Sequence, residues 1–394
     1  MKNTLLILIL LISKFSFGQW TNLSSGTTNW LRAVSFSSID TGYVVGYSGT
    51  ILKTTDGGIN WTTQSSTTTN NLFGVFFINS MTGWSCGAGG KILKTTNGGQ
   101  TWIAQTSPSS NTLHEPFFLD ANNGYIAGEY GTCLKTSNGG ATWTTLNLST
   151  ADGKVSVFFN NINTGFVTGA GMSDAIMKTT DGGANWSSVY SNSAEEFSSI
   201  YFTGLNDGYA VSSVTGKILK TTNAGSTWTN QTLAASDRLY SVKFPSQTEG
   251  YIVGGFPNSS RILKTTDSGT NWTPQISSTT EPLFDVFFIN TSVGYAVGKN
   301  GAIIKTINGG LVGIAENKQL INWSIYPNPA SQKINISIPT ESDFQENGFL
   351  LDASGRTIKT FSLTGTKTEI DIVDLLSGVY FVRIGNAVEK IVVE

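Results

Sequence analysis

The sequence predicts an all-β protein: a seven-bladed β-propeller closed by its N-terminal strand, followed by a small β-sandwich. Three observations carry that prediction. A phrase of the form Lys53-Thr54-Thr55-Asp56-Gly57-Gly58-Ile59-Asn60-Trp61 recurs about every 42 residues, a period that belongs to propellers and solenoids. Between the copies lie short alternating stretches rich in aromatic and β-branched residues, with no sustained helical period. After Gly313 the phrase stops and a different β pattern begins.

At the N-terminus, Met1-Lys2-Asn3 precedes an apolar stretch from Leu5 to Ile12, and Ser16-Phe17-Gly18 supplies small residues for cleavage before Gln19. Residues 1–18 therefore read as a signal peptide. The apolar run is too short to span a bilayer, so export is expected and a transmembrane helix in the mature chain is not.

The propeller is expected over residues 19–313. Further copies of the phrase run from Lys94 to Trp102, Lys135 to Trp143, Lys178 to Trp186, Lys220 to Trp228 and Lys264 to Trp272, with a truncated one from Lys305 to Gly310. In the second unit the order is Leu72 to Ile78, Trp84 to Gly87, Lys91 to Thr95 and Trp102 to Gln105. These are four strands joined by tight turns, which make one blade. At the turn, Asp56, Asn97, Asn138, Asp181, Asn223 and Asp267 are expected to accept backbone N–H groups two or three residues on. Gly58 can take positive φ. Asn223-Ala224-Gly225 and Asp267-Ser268-Gly269 keep only the second glycine, which points to the second position as the strained one. Trp61, Trp102, Trp143, Trp186, Trp228 and Trp272 then open the outermost strands, each burying roughly 150–250 Å² at about 25 cal/mol per Å². The truncated copy has no Trp, whereas Gln19-Trp20-Thr21 opens the mature chain with no turn before it. Trp20 to Leu31 matches Trp61 to Leu72 in length, so the N-terminal segment is expected to complete the last blade and leave no open edge.

Charged residues are 13% of the chain and the net charge is -2. Without a Lys/Arg run, that balance excludes a nucleic-acid or anionic-membrane binder. Cys86 and Cys133 fall on non-equivalent strands of different repeats, where two buried small hydrophobes are a better expectation than a disulfide.

Residues that vary where the frame is constant are the candidates for a site. Aligning the repeats gathers Trp30, Arg32, His114, Glu115, Lys154, Glu196, Arg238, Tyr240, Glu281 and Asp285 at the strand starts on one face of the ring. Tyr47, Glu129, Tyr130, Asp174 and Lys299 join them from the connections between second and third strands. Ligand contacts are expected above all from Trp30, Arg32, His114, Glu115, Tyr130, Arg238, Tyr240 and Asp285. His114 is the only histidine, so a multi-histidine metal site is excluded. It occupies the position of Phe73 and Phe284, so it reads as a packed ring. Gly-Gly pairs lie between strands rather than before a helix, so no phosphate loop is expected. Neither a cofactor nor a metal follows, and a monomer is expected.

The T-x-D-x-G-x-x-W phrase resembles the Asp-box of sialidase-type propellers, and G-x-I-L-K-T-T-D-G-G-x-x-W is more similar to the photosystem II stability and assembly factor type of repeat. The resemblance covers about residues 19 to 313 and implies the fold, since such turns occur in propellers of unrelated activity. A sialidase would need three arginines around a carboxylate. The propeller has Arg32, Arg238 and Arg261, and Arg261 begins a third strand. A glycosidase pair drawn from Glu115, Glu196 and Asp285 is conceivable.

Residues 314–321, including Ala315-Glu316-Asn317-Lys318-Gln319, read as a polar linker. Beyond it, Tyr326-Pro327-Asn328-Pro329, Asp352-Ala353-Ser354-Gly355-Arg356, Leu375-Leu376-Ser377-Gly378-Val379-Tyr380-Phe381-Val382-Arg383-Ile384 and a terminal strand from Lys390 to Val393 occur in order. Together they resemble the type A C-terminal sorting domain of the type IX secretion system, over residues 322–394. That resemblance implies passage across the outer membrane, contact with the secretion machinery, removal of the domain, and a secreted or surface-attached product. A photosystem role is at odds with such an address. The expected function is an exported propeller that binds a glycan, peptide or protein; the alternative is an extracellular carbohydrate-active hydrolase or lyase using carboxylates at the propeller mouth.

Overall fold

The computed structural model describes residues 19–170, 174–231, 238–310, 323–337, 347–352, 356–363, 366–384 and 387–394. The expected signal peptide and linker lie outside the described residues. The chain divides into two compact units, Met1–Leu311 and Val312–Glu394.

Among the described residues, the first unit holds seven four-stranded antiparallel sheets. Sheet 1 takes Leu31–Phe36, Gly42–Gly46, Ile51–Thr54 and Thr62–Gln64 in that order. Sheets 2 to 6 repeat the pattern from Leu72–Phe77, Leu113–Phe118, Lys154–Phe159, Phe197–Phe202 and Leu239–Lys243. Sheet 7 begins with Leu283–Phe288, and its fourth strand is Thr21–Leu23, paired with Ile303–Thr306 so that Thr21 faces Lys305. Each first strand packs against the next, and Leu283–Phe288 lies beside Leu31–Phe36. Among the described residues no helix is long and apolar enough to cross a membrane.

The repeated phrase ties neighbouring blades together as well as holding each turn. Within the turn, Thr54 Oγ1 accepts the Gly58 N–H at 2.8 Å and donates to Asp56 Oδ1 at 2.8 Å, while Asp56 Oδ1 accepts the Asn60 N–H at 2.9 Å. The acidic side chain thus reaches four residues on, further than the two or three expected. The turn's carbonyl faces the preceding blade. Lys53 Nζ and Tyr43 Oη both donate to Gly98 O, at 2.7 and 2.8 Å. Lys305 Nζ and Tyr295 Oη make the same pair of bonds to Gly57 O, from sheet 7 to sheet 1. Bonds to a charged donor are the stronger kind, which accounts for the constancy of the lysine.

Both turn glycines are left-handed, with φ 67° at Gly57 and 87° at Gly58, and the first position holds positive φ even as Ala224 and Ser268. The expectation that only the second position is strained is therefore corrected. The second position also faces the preceding blade: a Cβ at Gly225 would lie 2.5 Å from the Phe166 ring and one at Gly269 2.5 Å from the Tyr209 ring.

Rings fill the seams between blades. Tyr43 stacks on Phe77 at 3.7 Å, and Trp102 meets the same Phe77 edge-on at 5.8 Å. Trp20, only 2% exposed, meets Phe288 edge-on at 5.9 Å, as the Trp of every intact phrase meets its own blade. Cys86 and Cys133 are free and buried in two different seams.

The second unit holds a three-stranded sheet (Ser324–Tyr326, Lys333–Ser337, Lys367–Asp371) and a four-stranded one (Asn347–Leu351, Thr357–Ser362, Gly378–Ile384, Ala387–Val393). Ile334, Ile336, Leu350, Ile370, Val382 and Ile391 fill the space between. In the Tyr-Pro-Asn-Pro segment, Asn328 donates to Lys390 O at 2.8 Å and accepts the Val392 N–H at 2.9 Å, which fixes the segment to the terminal strand.

Candidate functional site

Each first strand carries a β-bulge near its start. In sheet 1, Leu31 faces Gly46 but Ala33 faces Val45, and the shift recurs in all seven sheets. A bulge re-aims the residues beside it, here toward the axis. Second and third positions consequently line a central cavity of about 460 Å³, a size that holds a small ligand or one or two residues. Its upper ring includes Arg32, Phe73, His114, Val155, Ser198, Tyr240 and Phe284, and its lower ring includes Ala33, Gly74, Glu115, Ser199, Ser241 and Asp285.

The lower ring works between blades. Glu115 Oε2 accepts the Ser156 hydroxyl at 2.5 Å and the Val157 N–H at 3.2 Å, and Ser156 Oγ accepts the Ile200 N–H at 3.2 Å. Ser199 Oγ accepts the Val242 N–H at 3.2 Å. Asp285 Oδ1 accepts the Ser241 hydroxyl and the Val286 N–H, and Oδ2 accepts the Val34 N–H at 2.9 Å. Where the ring has only Gly74, the next blade carries Pro116, which has no N–H to satisfy. Beneath the ring, Lys243 Nζ lies 3.4 Å from Glu115 Oε1. Burial lowers the Lys243 pKa, but the charges of Glu115 and Asp285 outweigh it and hold it above its ordinary value. Burial raises that of Asp285, against the pull of Lys243 and the Val34 N–H.

The upper ring is aromatic and cationic. The Arg32 guanidinium lies 4.3 Å from the Phe284 ring centroid and 5.6 Å from that of Phe73, its neighbours from sheets 7 and 2. Burial lowers its pKa, and its Nε has no hydrogen-bond partner. Tyr240 meets Phe284 at 5.5 Å; Trp30 stacks on Tyr47 at 5.2 Å and tilts against Phe284 at 5.7 Å. His114 packs 5.2 Å from Phe73, with Nε2 3.7 Å from Glu129. Burial pulls its pKa down to about 4, against the pull of Glu129, so at neutral pH the ring is uncharged.

The cavity thus brings together Arg32, His114, Glu115, Glu196, Arg238, Tyr240 and Asp285. Trp30 sits behind it in the aromatic row. Tyr130 does not line it: the residue is 72% exposed on a left-handed corner at φ 53°. Lys154 does not line it either. It takes the buried first position where the other blades have Leu or Phe, and its Nζ donates to Asp174 O at 2.6 Å. Glu281 accepts Asn300 at 2.9 Å away from the cavity, and Lys299 lies 5.8 Å from the Trp30 ring. Arg238 stacks on Phe256 at 3.9 Å at the rim. Among the described residues no group of three His, Cys, Asp or Glu side chains is placed to hold a metal.

Residues 12–107 and 104–194 match the family model for the photosynthesis system II assembly factor YCF48, and residues 324–394 match the secretion system C-terminal sorting domain. The chain is a propeller of the YCF48 repeat type with a type IX sorting tail. A structure of YCF48 bound to D1 peptide superposes with a TM-score of 0.63 at 18% identity, covering 74% of this chain and 96% of that one. The GH74 xyloglucanase from Xanthomonas campestris gives 0.61 at 13%, covering 74% and 53%. A catalytically inactive virginiamycin B lyase from Staphylococcus aureus with quinupristin gives 0.60 at 12%, covering 73% and 98%. At such identities the likeness is one of fold. No curated protein matches the chain. The sorting tail directs this YCF48-type propeller to the cell surface or beyond.

Sequence reasoning missed Lys243. It occupies the fifth position of its strand, where other blades carry Phe76, Phe117, Phe158, Tyr201 and Phe287, and with those rings it lines a second cavity of about 190 Å³. The signal was there in the alignment, as the one lysine in an aromatic column.

Proposed function

We propose that the mature protein is an exported binding protein that holds its ligand in the central cavity of the propeller without turning it over. One observation carries the reading: Glu115 and Asp285, two of the three carboxylates that line the cavity, are committed to the frame. A glycosidase pair needs one carboxyl group to hold and release a proton and another to attack or to activate water. Glu115 and Asp285 instead accept backbone N–H groups and serine hydroxyls from the adjoining blades and share Lys243. The open groups include two arginines, two phenylalanines, a tyrosine, an uncharged histidine and the Glu196 carboxylate, a set suited to contact and hydrogen bonding. A peptide is the favoured ligand class, because a propeller of the same repeat type is bound to D1 peptide.

The test is a panel of peptides, glycans and secreted-protein extracts presented to the purified protein, with product release followed in the same wells. Saturable binding without products is the expected result. Product release that disappears in folded Asp285→Asn or Glu115→Gln protein, with binding retained, would overturn it in favour of the hydrolase or lyase alternative.

A further inference from the structure

We infer that Arg32 is the anchor of the ligand site and that it recognises a carboxylate carried beside a flat apolar group. The inference rests on the binding reading above and names the chemistry of its ligand. Arg32 is a partly buried cation whose Nε is shielded from solvent and unbonded, and no carboxylate among the described residues lies within ion-pairing distance of it. Asp285, whose charge acts on Arg32, spends its oxygens on Val34, Val286 and Ser241. A guanidinium left this way carries an unmet demand for acceptors.

The surroundings narrow what can meet it. Phe284 and Phe73 lie against the guanidinium from the two neighbouring blades, so its N–H groups are offered edge-on. Two parallel bonds along that edge fit a planar carboxylate. His114 is uncharged at neutral pH. Arg238 and Glu196 also line the cavity, and Arg238 is stacked on Phe256 at the rim. Phe284, Phe73 and Tyr240 then supply ring faces for an apolar neighbour of the carboxylate.

The experiment titrates full-length protein with N-acetylphenylalanine and with its amide, following the Arg32 Nε–H resonance by NMR and binding by calorimetry. The acid is expected to move that resonance and to bind at least about tenfold more tightly than the amide, and Arg32→Gln to lose that margin. Arg32→Lys should recover only part of it, because an ammonium lacks the two-pronged edge. Thermal melts of both variants establish that they fold. Equal binding of acid and amide, no response to millimolar acid, or undiminished binding by folded Arg32→Gln protein would each overturn the assignment. The peptide, glycan and extract panel judges the binding reading separately. A ligand found there that Arg32→Gln protein still holds would sink this inference and leave the reading standing.

Discussion

Replacing Lys243 by Met should destabilise the propeller by about 2–4 kcal/mol at neutral pH. Lys243 Nζ lies 3.4 Å from Glu115, where two unit charges attract by about 5 kcal/mol at an effective dielectric of about 20. About a quarter of each side chain is exposed, 25% for Lys243 and 29% for Glu115, so water in the cavity screens part of that attraction. Methionine recovers the cost of burying the ammonium but leaves Glu115 and Asp285 facing one another without a counter-ion, the situation in which removing one partner is most damaging. The deficit depends on pH in a defined direction. Burial already raises the Asp285 pKa in the folded state. The folded protein therefore binds a proton more readily there than the unfolded chain does, and this contribution to stability grows as pH falls toward the unfolded carboxylate value. Without Lys243 the Asp285 carboxyl loses the charge that opposes its rise, so the variant should close on the wild type between about pH 7 and pH 5. Urea unfolding of both proteins across that range, with Lys243→Met/Glu115→Gln as the compensated pair, measures it. A deficit below about 1 kcal/mol at pH 7, or one that widens on acidification, would refute the reasoning.

Trp20→Ala should cost about 3–5 kcal/mol and speed amide exchange in Ile303–Thr306, since Trp20 is only 2% exposed beside Phe288 and anchors the strand that pairs there; unchanged exchange would argue against that role. The Asp56, Asp181 and Asp267 carboxyl groups are held at about 2 by the N–H groups and side chains of Asn60, Asn185 and Asn271. Their contribution is present above the unfolded value and lost as pH falls from about 4 to about 2. The triple Asn variant should therefore fold normally at neutral pH and lose less stability over that interval, as read from acid titrations by circular dichroism; identical acid profiles would count against it. Gly74→Ala places a Cβ 2.3 Å from His114 O and 2.4 Å from Pro116 Cδ, so the backbone must shift. A loss of about 1–3 kcal/mol, with displaced His114 and Glu115 resonances, is expected, and a silent substitution would refute the contact.

The fold was legible because its signal is local and repeated. A turn phrase copied every blade reports a strand pair each time, and the missing Trp at Lys305 to Gly310 could be set against the spare Trp20 at the other end. The role of the phrase was legible only in part. That Asp56 holds the turn follows from its type, but that Thr54 holds it as well was not read, and that Lys53 and Tyr43 reach Gly98 one blade away depends on how tightly blades wedge together, which a single repeat does not encode. The site was half legible for the same reason. Alignment placed Arg32, His114 and Tyr240 at strand starts, but the bulge decides which neighbours turn inward. It sends Arg32 to the cavity, while the equivalent of Leu31 in the fourth blade, Lys154, is buried in the seam. Tyr130, exposed on a left-handed corner, is not among the residues that line the cavity.

Glu115 and Asp285 show why unusual residues in a regular frame do not by themselves mark chemistry. In four of the seven seams the third residue of one inner strand accepts the N–H of the fourth residue of the next. Serine answers in Ser156 and Ser199, and longer acidic side chains answer in Glu115 and Asp285. Where Gly74 offers nothing, Pro116 asks for nothing. The third position of one blade and the fourth of the next are thus one structural unit, although about 42 residues separate them. A carboxylate placed there brings a charge into the channel, and Lys243 answers that charge from below. What the frame does not answer is Arg32, whose Nε is buried without a hydrogen-bond partner. The exceptions at the third position are therefore explained by the ring's own hydrogen bonds, and the exception at the second is left to be explained by a ligand.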